Sequence, residues 1–335
     1  MADPVSSPAG PRTIQRLSDA IYPAMGMRAA MQLDLFTPLA EGAKSTEEIA
    51  AAIGVKPAKL APLLYALVAA DLLTHTDGRF ANSVEAETYL IRGKTGYLGG
   101  MHEFFTDTWS AVFKTAETIR AGVPQAKHDF SAMSEDEFGG VLRGLHPGAM
   151  AAGRRLVTHH GLANHRRVLD VGGGSGGVAI GACSEAPDLT AVVLDLPNVV
   201  PFTDKFIVNA GLTGRISTQV GDIVTQIPAG NFDAAVLRSF IQILSAPDAA
   251  KAINHVGAAL APGGAIYIVG RILENSRLAP TDTVGINLLF LNIYDDGQAY
   301  TAGEYAAWLT AAGFVDAKFA FDALPGACLV TARKR

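Results

Sequence analysis

The C-terminal half of the chain alternates short apolar runs, rich in β-branched residues, with segments of helical periodicity. This spacing predicts strands that alternate with helices. The predicted strands are 168–171, 190–195, 215–222, 233–239, 315–323 and 327–334, and 261–273 is predicted as a turn followed by a strand. Helices are predicted after 177 and 197 and over 247–260, 284–294 and 303–312. Such an order predicts an α/β domain with a mostly parallel sheet that binds ligands at the carboxyl ends of its strands.

The N-terminal part has a different pattern. Apolar positions over 13–39 recur at helical spacing, and Ser45 with Glu48 forms a capping box for a short helix. A second apolar helix begins near Pro57. The stretch THTDGRFAN predicts a β-hairpin that turns at Asp77-Gly78. Two short helices followed by a hairpin predict a winged helix.

A winged helix serves either DNA binding or subunit packing. The candidate recognition helix, 57–73, has Lys59 as its only basic residue and is apolar on nearly every side. A helix of this kind is buried rather than laid along a phosphate backbone. We therefore expect a dimerisation module, a homodimer and no nucleic-acid partner.

A glycine-rich segment, Gly172–Gly177, separates the first C-terminal strand from its helix. Glycine allows turns and close approaches that a Cβ would block, so this segment can hold a ligand. It satisfies the dinucleotide fingerprint, with Asp195 at the spacing of a ribose-binding acid. With Asp170 two residues before it, the segment also resembles motif I of class I S-adenosylmethionine-dependent methyltransferases. A purely structural turn is the third interpretation.

Composition excludes several classes of protein. The chain has 335 residues, a hydrophobic share of 49% and a net charge of −5, which favour a large core and argue against a phosphate backbone as partner. No apolar run reaches the roughly 18 residues of a membrane span. Two cysteines and the lack of a secretory signal favour a reduced, cytoplasmic protein. His159, His160 and His165 lack carboxylate or cysteine partners at ligand spacing, so no metal is expected.

Five motifs carry a resemblance to a known family. They are LDVGGGSGG (169–177), LDLPNVV (194–200), GDI (221–223), LAPGGAIYIV (260–269) and AAGF (311–314). Together they resemble the two-domain small-molecule O-methyltransferases, typified by plant caffeate and bacterial antibiotic-tailoring enzymes. The acid after the third strand and the PGG turn before the fifth disfavour the dinucleotide interpretation.

The resemblance implies a class I methyltransferase sheet of seven strands, doubly wound, behind a winged-helix dimerisation domain. The implied segments are a dimerisation domain (1–100), connecting helices that line a substrate pocket (101–160) and a cofactor domain (161–335). S-adenosyl-L-methionine would be the methyl donor, with S-adenosyl-L-homocysteine as the product. The substrate would be a small molecule, and we expect no membrane partner.

The same resemblance implies the cofactor contacts. Gly172 and Gly174 would lie beside the methionine part, and Asp195 would accept hydrogen bonds from the ribose hydroxyls. The remaining expected contacts are Asp170 in motif I, Leu196 and Ile223 on either side of the adenine, Asp222 at the adenine amino group, and Arg238 where the family usually has lysine.

The chain departs from the family at the catalytic base. Gln242 stands in place of the histidine of L-K-x-x-L-H-D-W, and an amide accepts no proton near neutral pH. The two supporting glutamates fall on Gly270 and, in an ungapped alignment, on Ala299. A positioned base contributes roughly 10²–10⁴-fold to a rate, so its loss matters for a protonated phenol or alcohol.

The departure suggests methylation of an acceptor that needs no general base. Sulfur, as a thioether or thiol, is favoured, with nitrogen or carbon also possible. Its predicted contacts are Trp109, Arg143, Met150, Asn287 and Asn292, together with His146 and Tyr294. The alternatives are O-methylation with His146 or Tyr294 as a relocated base, a cofactor-binding enzyme that does not transfer methyl, and a non-enzymatic DNA-binding or sensing module.

Overall fold

The computed structural model describes residues 10–94, 96–127, 134–324 and 326–335. The chain divides into two compact units, Met1–Thr106 and Asp107–Arg335. The three-segment division expected from the sequence stays a prediction. Within the described ranges, no single helix has both the length and the apolar character of a membrane span, and the one pair of helices that passes together is bent by 109°.

The first unit is mainly helical, and a β-hairpin follows the helices of its winged helix. Its elements are α1 (Arg12–Asp19), α2 (Ile21–Gln32), α3 (Thr46–Ile53), α4 (Pro57–Ala69), β1 (Leu73–Thr76), β2 (Arg79–Asn82) and α5 (Val84–Tyr89), and α6 (His102–Val112) runs on into the second unit. The predicted capping box of Ser45 and Glu48 is present. Asp77 and Gly78 both have positive φ, which matches the right-handed twist of the paired strands. The predicted hairpin is confirmed.

The second unit contains a seven-stranded sheet in the order β10-β11-β7-β6-β3-β4-β5. The strands from β7 to β5 are parallel, and β11 is antiparallel to both of its neighbours. The elements are α7 (Thr115–Ala121), α8 (Glu135–His159), β3 (Arg167–Val171), α9 (Gly177–Glu185), β4 (Thr190–Asp195), α10 (Val200–Asn209), β5 (Ile216–Val220), β6 (Phe232–Arg238), α11 (Ala246–Ala259), β7 (Leu260–Gly270), β8 (Ile272–Leu273), α12 (Thr281–Ile293), β9 (Tyr300–Thr301), α13 (Ala302–Ala311), β10 (Phe314–Leu324) and β11 (Ala327–Lys334).

Helices cover both faces of this sheet. In β3, Leu169 and Val171 pack with α11 and α13, while Val168 packs with α8, α9 and α10 on the opposite face. Successive residues of a strand point to opposite faces, so one short run of apolar residues supplies both cores. The doubly wound α/β class predicted from the sequence is confirmed.

The structure corrects the predicted turn before β7. The segment 261–264 lies inside that strand as an irregularity in its pairing, because Leu260 pairs with Phe232 and the next paired residue is Ala265 opposite Ala234. Gly263, at φ +79°, allows the bulge. The PGG segment therefore interrupts a strand that begins earlier than the sequence indicated.

Helices α8 and α9 cross at two glycines. A Cβ built on Gly153 would overlap the carbonyl oxygen of Val178, and one built on Gly181 would overlap that of Met150. The two backbones are therefore in direct contact. Because α9 begins at the end of the glycine-rich segment, this contact helps to fix the position of the loop.

Candidate active site

The glycine-rich segment forms a tight loop between β3 and α9. Gly172 and Gly174 have φ of +61° and +56°, a region that side chains rarely adopt. A Cβ on Gly172 would lie 2.9 Å from Cε2 of Phe240, so this aromatic ring packs directly on the loop. The segment that follows β6 therefore lies over the loop, a contact that sequence reasoning missed.

Asp170 lies buried at the end of β3, beneath the loop. It is 1% exposed, and its Oδ2 accepts a hydrogen bond from the Ala179 N–H at 3.1 Å. Among the described residues, its Oδ1 has no partner. Burial raises the pKa of Asp170 to about 7; Asp195 adds to the shift, and Arg238 opposes it. A buried oxygen without a partner is costly, so this atom is suited to accept a hydrogen bond from a ligand.

Asp195 ends β4 beside the same loop. Its Oδ2 accepts a hydrogen bond from the Gly174 N–H at 2.7 Å, and its Oδ1 accepts one from the Leu196 N–H at 2.8 Å. Burial raises its pKa. Each carboxylate oxygen keeps a further lone pair, so the group can also accept from two ribose hydroxyls. Leu196 is 45% exposed and offers apolar surface next to it.

The turn after β5 holds Asp222 and Ile223. Asp222 Oδ1 accepts a hydrogen bond from the Val224 N–H at 2.9 Å, which closes the turn. Ile223 is 3% exposed and belongs to the core beneath the sheet. The predicted place of Ile223 beside the adenine, opposite Leu196, stays a prediction, and little of the isoleucine surface is exposed. The turn directs the isoleucine inward against α11.

Arg238 extends from the end of β6 toward the same edge of the sheet. A Cβ on Gly148 of α8 would lie 3.4 Å from its Nη2, so the guanidinium reaches this helix. Burial lowers the pKa of Arg238, and the carboxyl of Asp170 opposes that shift. An acidic and a basic group therefore lie at the ends of neighbouring strands, where the cofactor was expected.

Gln242, in place of the expected histidine, is 8% exposed and held by backbone. Its Oε1 accepts a hydrogen bond from the Arg271 N–H at 3.1 Å. A Cβ on Gly270 would lie 2.8 Å from the same Oε1, so glycine at this position makes room for the amide. The two departures from the family are therefore one structural unit.

His146 lies on α8, close to the loop. Its Nδ1 is 2.8 Å from the Ser175 hydroxyl, and its ring stacks on Phe206 with centroids 4.4 Å apart. Burial lowers its pKa, so the neutral ring is favoured at physiological pH. Sequence reasoning missed Ser175, because only the fold brings α8 against the loop.

Three predicted substrate residues have different surroundings. Arg143 is exposed, with its Nη2 3.6 Å from Asp136, and it borders a cleft of about 450 Å³ between α8 and α10. Met150 packs against the core that α8 and α9 enclose. Trp109 is half-buried on α6. Their substrate roles stay predictions.

Tyr294 and Asn287 border a cavity of about 340 Å³ together with Gly297 and Gln298. Burial raises the pKa of Tyr294 to about 12, so the phenol keeps its proton at neutral pH. The side-chain oxygen of Asn287 accepts a hydrogen bond from the Ala299 N–H at 2.8 Å. Gly297, which borders this cavity, packs against the backbone of Gln242, because a Cβ on Gly297 would lie 2.5 Å from the Gln242 carbonyl oxygen.

The structure corrects the expected role of Asn292, which is fully buried. Its Oδ1 accepts a hydrogen bond from the Thr118 hydroxyl at 2.7 Å, and its Nδ2 donates to the Thr115 hydroxyl and the Leu288 carbonyl. These bonds join α12 to α7. The amide is engaged by the protein itself and is not available to a substrate.

These residues fit S-adenosylmethionine. The glycine loop admits a ligand at its backbone, Asp195 supplies acceptors for ribose hydroxyls, and Leu196 supplies apolar surface. The unpaired Oδ1 of Asp170 is suited to a positively charged donor such as the methionine ammonium group. The fit rests on the chain's own buried groups.

Comparison with known proteins decides the family. Residues 111–315 match the model of an O-methyltransferase domain, and residues 15–92 match that of an O-methyltransferase dimerisation domain. The chain belongs to this O-methyltransferase family. It is an S-adenosylmethionine-dependent methyltransferase that acts on a small molecule, as the motifs predicted. The match to the dimerisation domain supports the expected homodimer.

Relatives of this methyltransferase span nearly its whole length. It is 29% identical over 327 residues to 3-hydroxy-5-methyl-1-naphthoate 3-O-methyltransferase from Streptomyces sahachiroi, covering 95% of this chain and 93% of the relative. It is 27% identical to N,N-dimethyltransferase OxyT from Streptomyces rimosus, covering 93% and 92%. Human N-acetylserotonin methyltransferase in complex with S-adenosylmethionine shares the fold, with a TM-score of 0.83, 23% identity and coverage of 100% and 99%.

Proposed function

We propose that this methyltransferase acts on a small acceptor that is already nucleophilic when it binds. The observation that carries the proposal is Gln242, whose amide oxygen is fixed by the Arg271 N–H in the place of the catalytic histidine. A neutral amine, a thioether or a thiolate loses little when the base is missing, whereas a neutral phenol loses most of its reactivity.

The reaction needs orientation more than proton transfer. The donor supplies a methyl group on a cationic sulfonium; the acceptor's lone pair forms the new bond to carbon as the carbon–sulfur bond breaks. An amine acceptor then releases its proton to solvent. This chain's residues would bind and orient the donor: Asp195 and the glycine-rich loop would hold its adenosyl end, and Asp170 with Arg238 would hold its charged end. Holding reactants in line supplies most of the acceleration in such a displacement.

The relatives bear on the choice of acceptor atom. The sequence favoured sulfur, and the relatives give that preference no support because their names specify oxygen and nitrogen. A neutral amine is the base-independent acceptor with a precedent among them. We therefore favour nitrogen as the atom that is methylated, with sulfur as the second choice.

O-methylation with a relocated base is the competing function. His146 is engaged with Ser175 and Phe206, and Tyr294 holds its proton with a pKa of about 12. A protonated phenol accepts no proton, so Tyr294 is disfavoured as the base, whereas the neutral ring of His146 can accept one and is the stronger candidate. If one of them served, the variant His146→Gln or Tyr294→Phe would abolish turnover and remove one limb of the pH–rate profile.

The decisive experiment measures transfer of labelled methyl from S-adenosylmethionine to phenols, thiols, carboxylated thioethers and amines. We expect label on nitrogen or sulfur, inert simple phenols, and no gain in the best rate from Gln242→His. Label on simple phenols, or a large gain from that histidine, refutes the proposal. Tight cofactor binding with no labelled product would instead support an enzyme of this fold that does not transfer methyl.

A further inference from the structure

The orientation of the Gln242 amide is fixed by an atom that can only donate. A backbone N–H accepts nothing, so the amide atom that faces the Arg271 N–H is the oxygen. The amide nitrogen consequently points away from the end of β7. It has no hydrogen-bond partner among the described residues, and it is not sealed from solvent.

The surroundings of Gln242 are those of the proposed reaction site. Two residues earlier, Phe240 packs on Gly172 of the cofactor loop. The carbonyl oxygen of Gln242 lies against Gly297, which borders the cavity of Tyr294 and Asn287. The segment that carries Gln242 thus contacts the cofactor loop through Phe240 and borders this cavity through the Gln242 backbone. Within the described part of the chain, the amide nitrogen is the group without a protein partner at the family's base position.

We infer that Gln242 is a specificity-determining residue whose Nε2 donates a hydrogen bond to an oxygen of the substrate. The substrate class is an amine or thiol with a carboxylate or carbonyl oxygen beside the methylated atom. This inference rests on the proposed function and deepens it. The histidine expected here would accept a proton from the substrate. The glutamine instead has two amide N–H groups that can donate hydrogen bonds to lone pairs of a substrate oxygen.

Hydrogen bonding to an anion gives this residue its selectivity. A hydrogen bond to a charged group contributes more than one between neutral partners, and a misplaced donor is left unpaired in a desolvated site. We expect the correctly placed carboxylate to improve kcat/KM at least about tenfold over an isomer that carries it elsewhere. Overall charge alone would give no difference between such isomers.

The test compares positional isomers with Gln242→Glu. The probes are 2-aminobenzoate against 4-aminobenzoate, and 2-mercaptobenzoate against 4-mercaptobenzoate. They are assayed by methyl transfer and by binding to the enzyme saturated with S-adenosylhomocysteine. Gln242→Glu keeps an oxygen for the Arg271 N–H but replaces the free donor with a lone pair. Gln32→Glu is the matched control, because the Oε1 of this exposed glutamine also accepts one hydrogen bond at 3.1 Å, from Arg28.

We expect the wild type and Gln32→Glu to prefer the 2-isomers, and Gln242→Glu to bring the ratio of kcat/KM for the 2-isomers over the 4-isomers close to one. Equal use of both isomers, a preference that survives Gln242→Glu, or binding of none of the probes overturns the inference. The proposed function fails differently: methyl appears on simple phenols and on neither amine nor thiol. Amine or thiol methylation without positional preference leaves the proposed function standing and removes only the role of Gln242.

Discussion

Replacing Gly153 with alanine tests the contact between α8 and α9. The new Cβ would lie 2.9 Å from the Ala182 nitrogen and 3.0 Å from the Val178 carbonyl carbon, where ordinary contacts begin near 3.4 Å. Both neighbours are helix backbone, which cannot rotate out of the way as a side chain can. The helices must therefore separate by at least about half an ångström at this crossing.

The expected cost follows from this overlap. Overfilling a packed interior costs about 1–3 kcal/mol, and more when the neighbour is rigid. Alanine regains up to about 1 kcal/mol through its higher helix propensity. We expect Gly153→Ala to lower the free energy of unfolding by about 2 kcal/mol, and Gly181→Ala, which meets the Met150 backbone, to lower it similarly.

Urea unfolding of the full chain measures this loss as a shift of the midpoint at unchanged slope. Gly144 provides the matched control on the same helix, because a Cβ there has no neighbour within 4 Å. Gly144→Ala should raise stability by about 0.5–1 kcal/mol. A Gly153→Ala variant that is also neutral or stabilising would show that the two backbones are not in contact.

Three further predictions concern the site. Asp195→Asn should weaken S-adenosylmethionine binding tenfold or more, measured by calorimetry, because its carboxylate is the proposed acceptor for ribose hydroxyls. The carboxyl of Asp170 holds its proton to a pKa of about 7 in the folded protein and to 3.8 in the unfolded chain. Between these two pKa values the folded state binds more protons than the unfolded chain, so the stability that this group contributes falls as the pH rises from about 4 to about 7. Asp170→Asn removes the titrating group and should therefore flatten the slope of the urea midpoint against pH. Asn292→Ala should cost about 1–3 kcal/mol in the same assay, with cofactor affinity unchanged, because the Thr118 hydroxyl loses its acceptor and Thr115 loses the donor from the amide nitrogen.

Each of these has a result that contradicts it. Undiminished cofactor affinity in Asp195→Asn would place the ribose elsewhere. A pH slope identical in wild type and Asp170→Asn would mean that Asp170 is ionised in the folded protein. A stable Asn292→Ala with impaired methyl transfer would return the asparagine to the substrate contacts.

Local patterns accounted for most of the fold. The capping box at Ser45, the turn at Asp77 and the strand that ends at Asp170 each depend on neighbours within a few residues of the chain. The PGG segment was misplaced because the pairs on either side of it, Leu260 with Phe232 and Ala265 with Ala234, join residues about thirty positions apart in sequence. A bulge inside a strand has the same local composition as a turn before it.

The site was predictable only where strand ends define it. Asp170 and Asp195 follow from their positions after apolar runs, since parallel strands bring their carboxyl ends to one edge. The burial of Ile223 and of Asn292 could not be predicted, because which way a side chain points after a turn or on an apolar helix is decided by packing. The contact of His146 with Ser175 likewise depends on how α8 crosses α9.

The shared space of Gln242 and Gly270 has a consequence for how this enzyme can change under selection. A glutamate that arose at position 270 would meet the Gln242 oxygen at 2.8 Å from its own Cβ, and a histidine that arose at 242 would find no carboxylate to orient it. A glutamate at 270 requires the Gln242 amide to turn away, and a histidine at 242 alone has no orienting carboxylate, so neither single change restores the base. Recovery of a base-bearing site requires changes at 242, at 270 and, in the ungapped alignment, at 299, so these positions are epistatic and the present chemistry resists stepwise reversal.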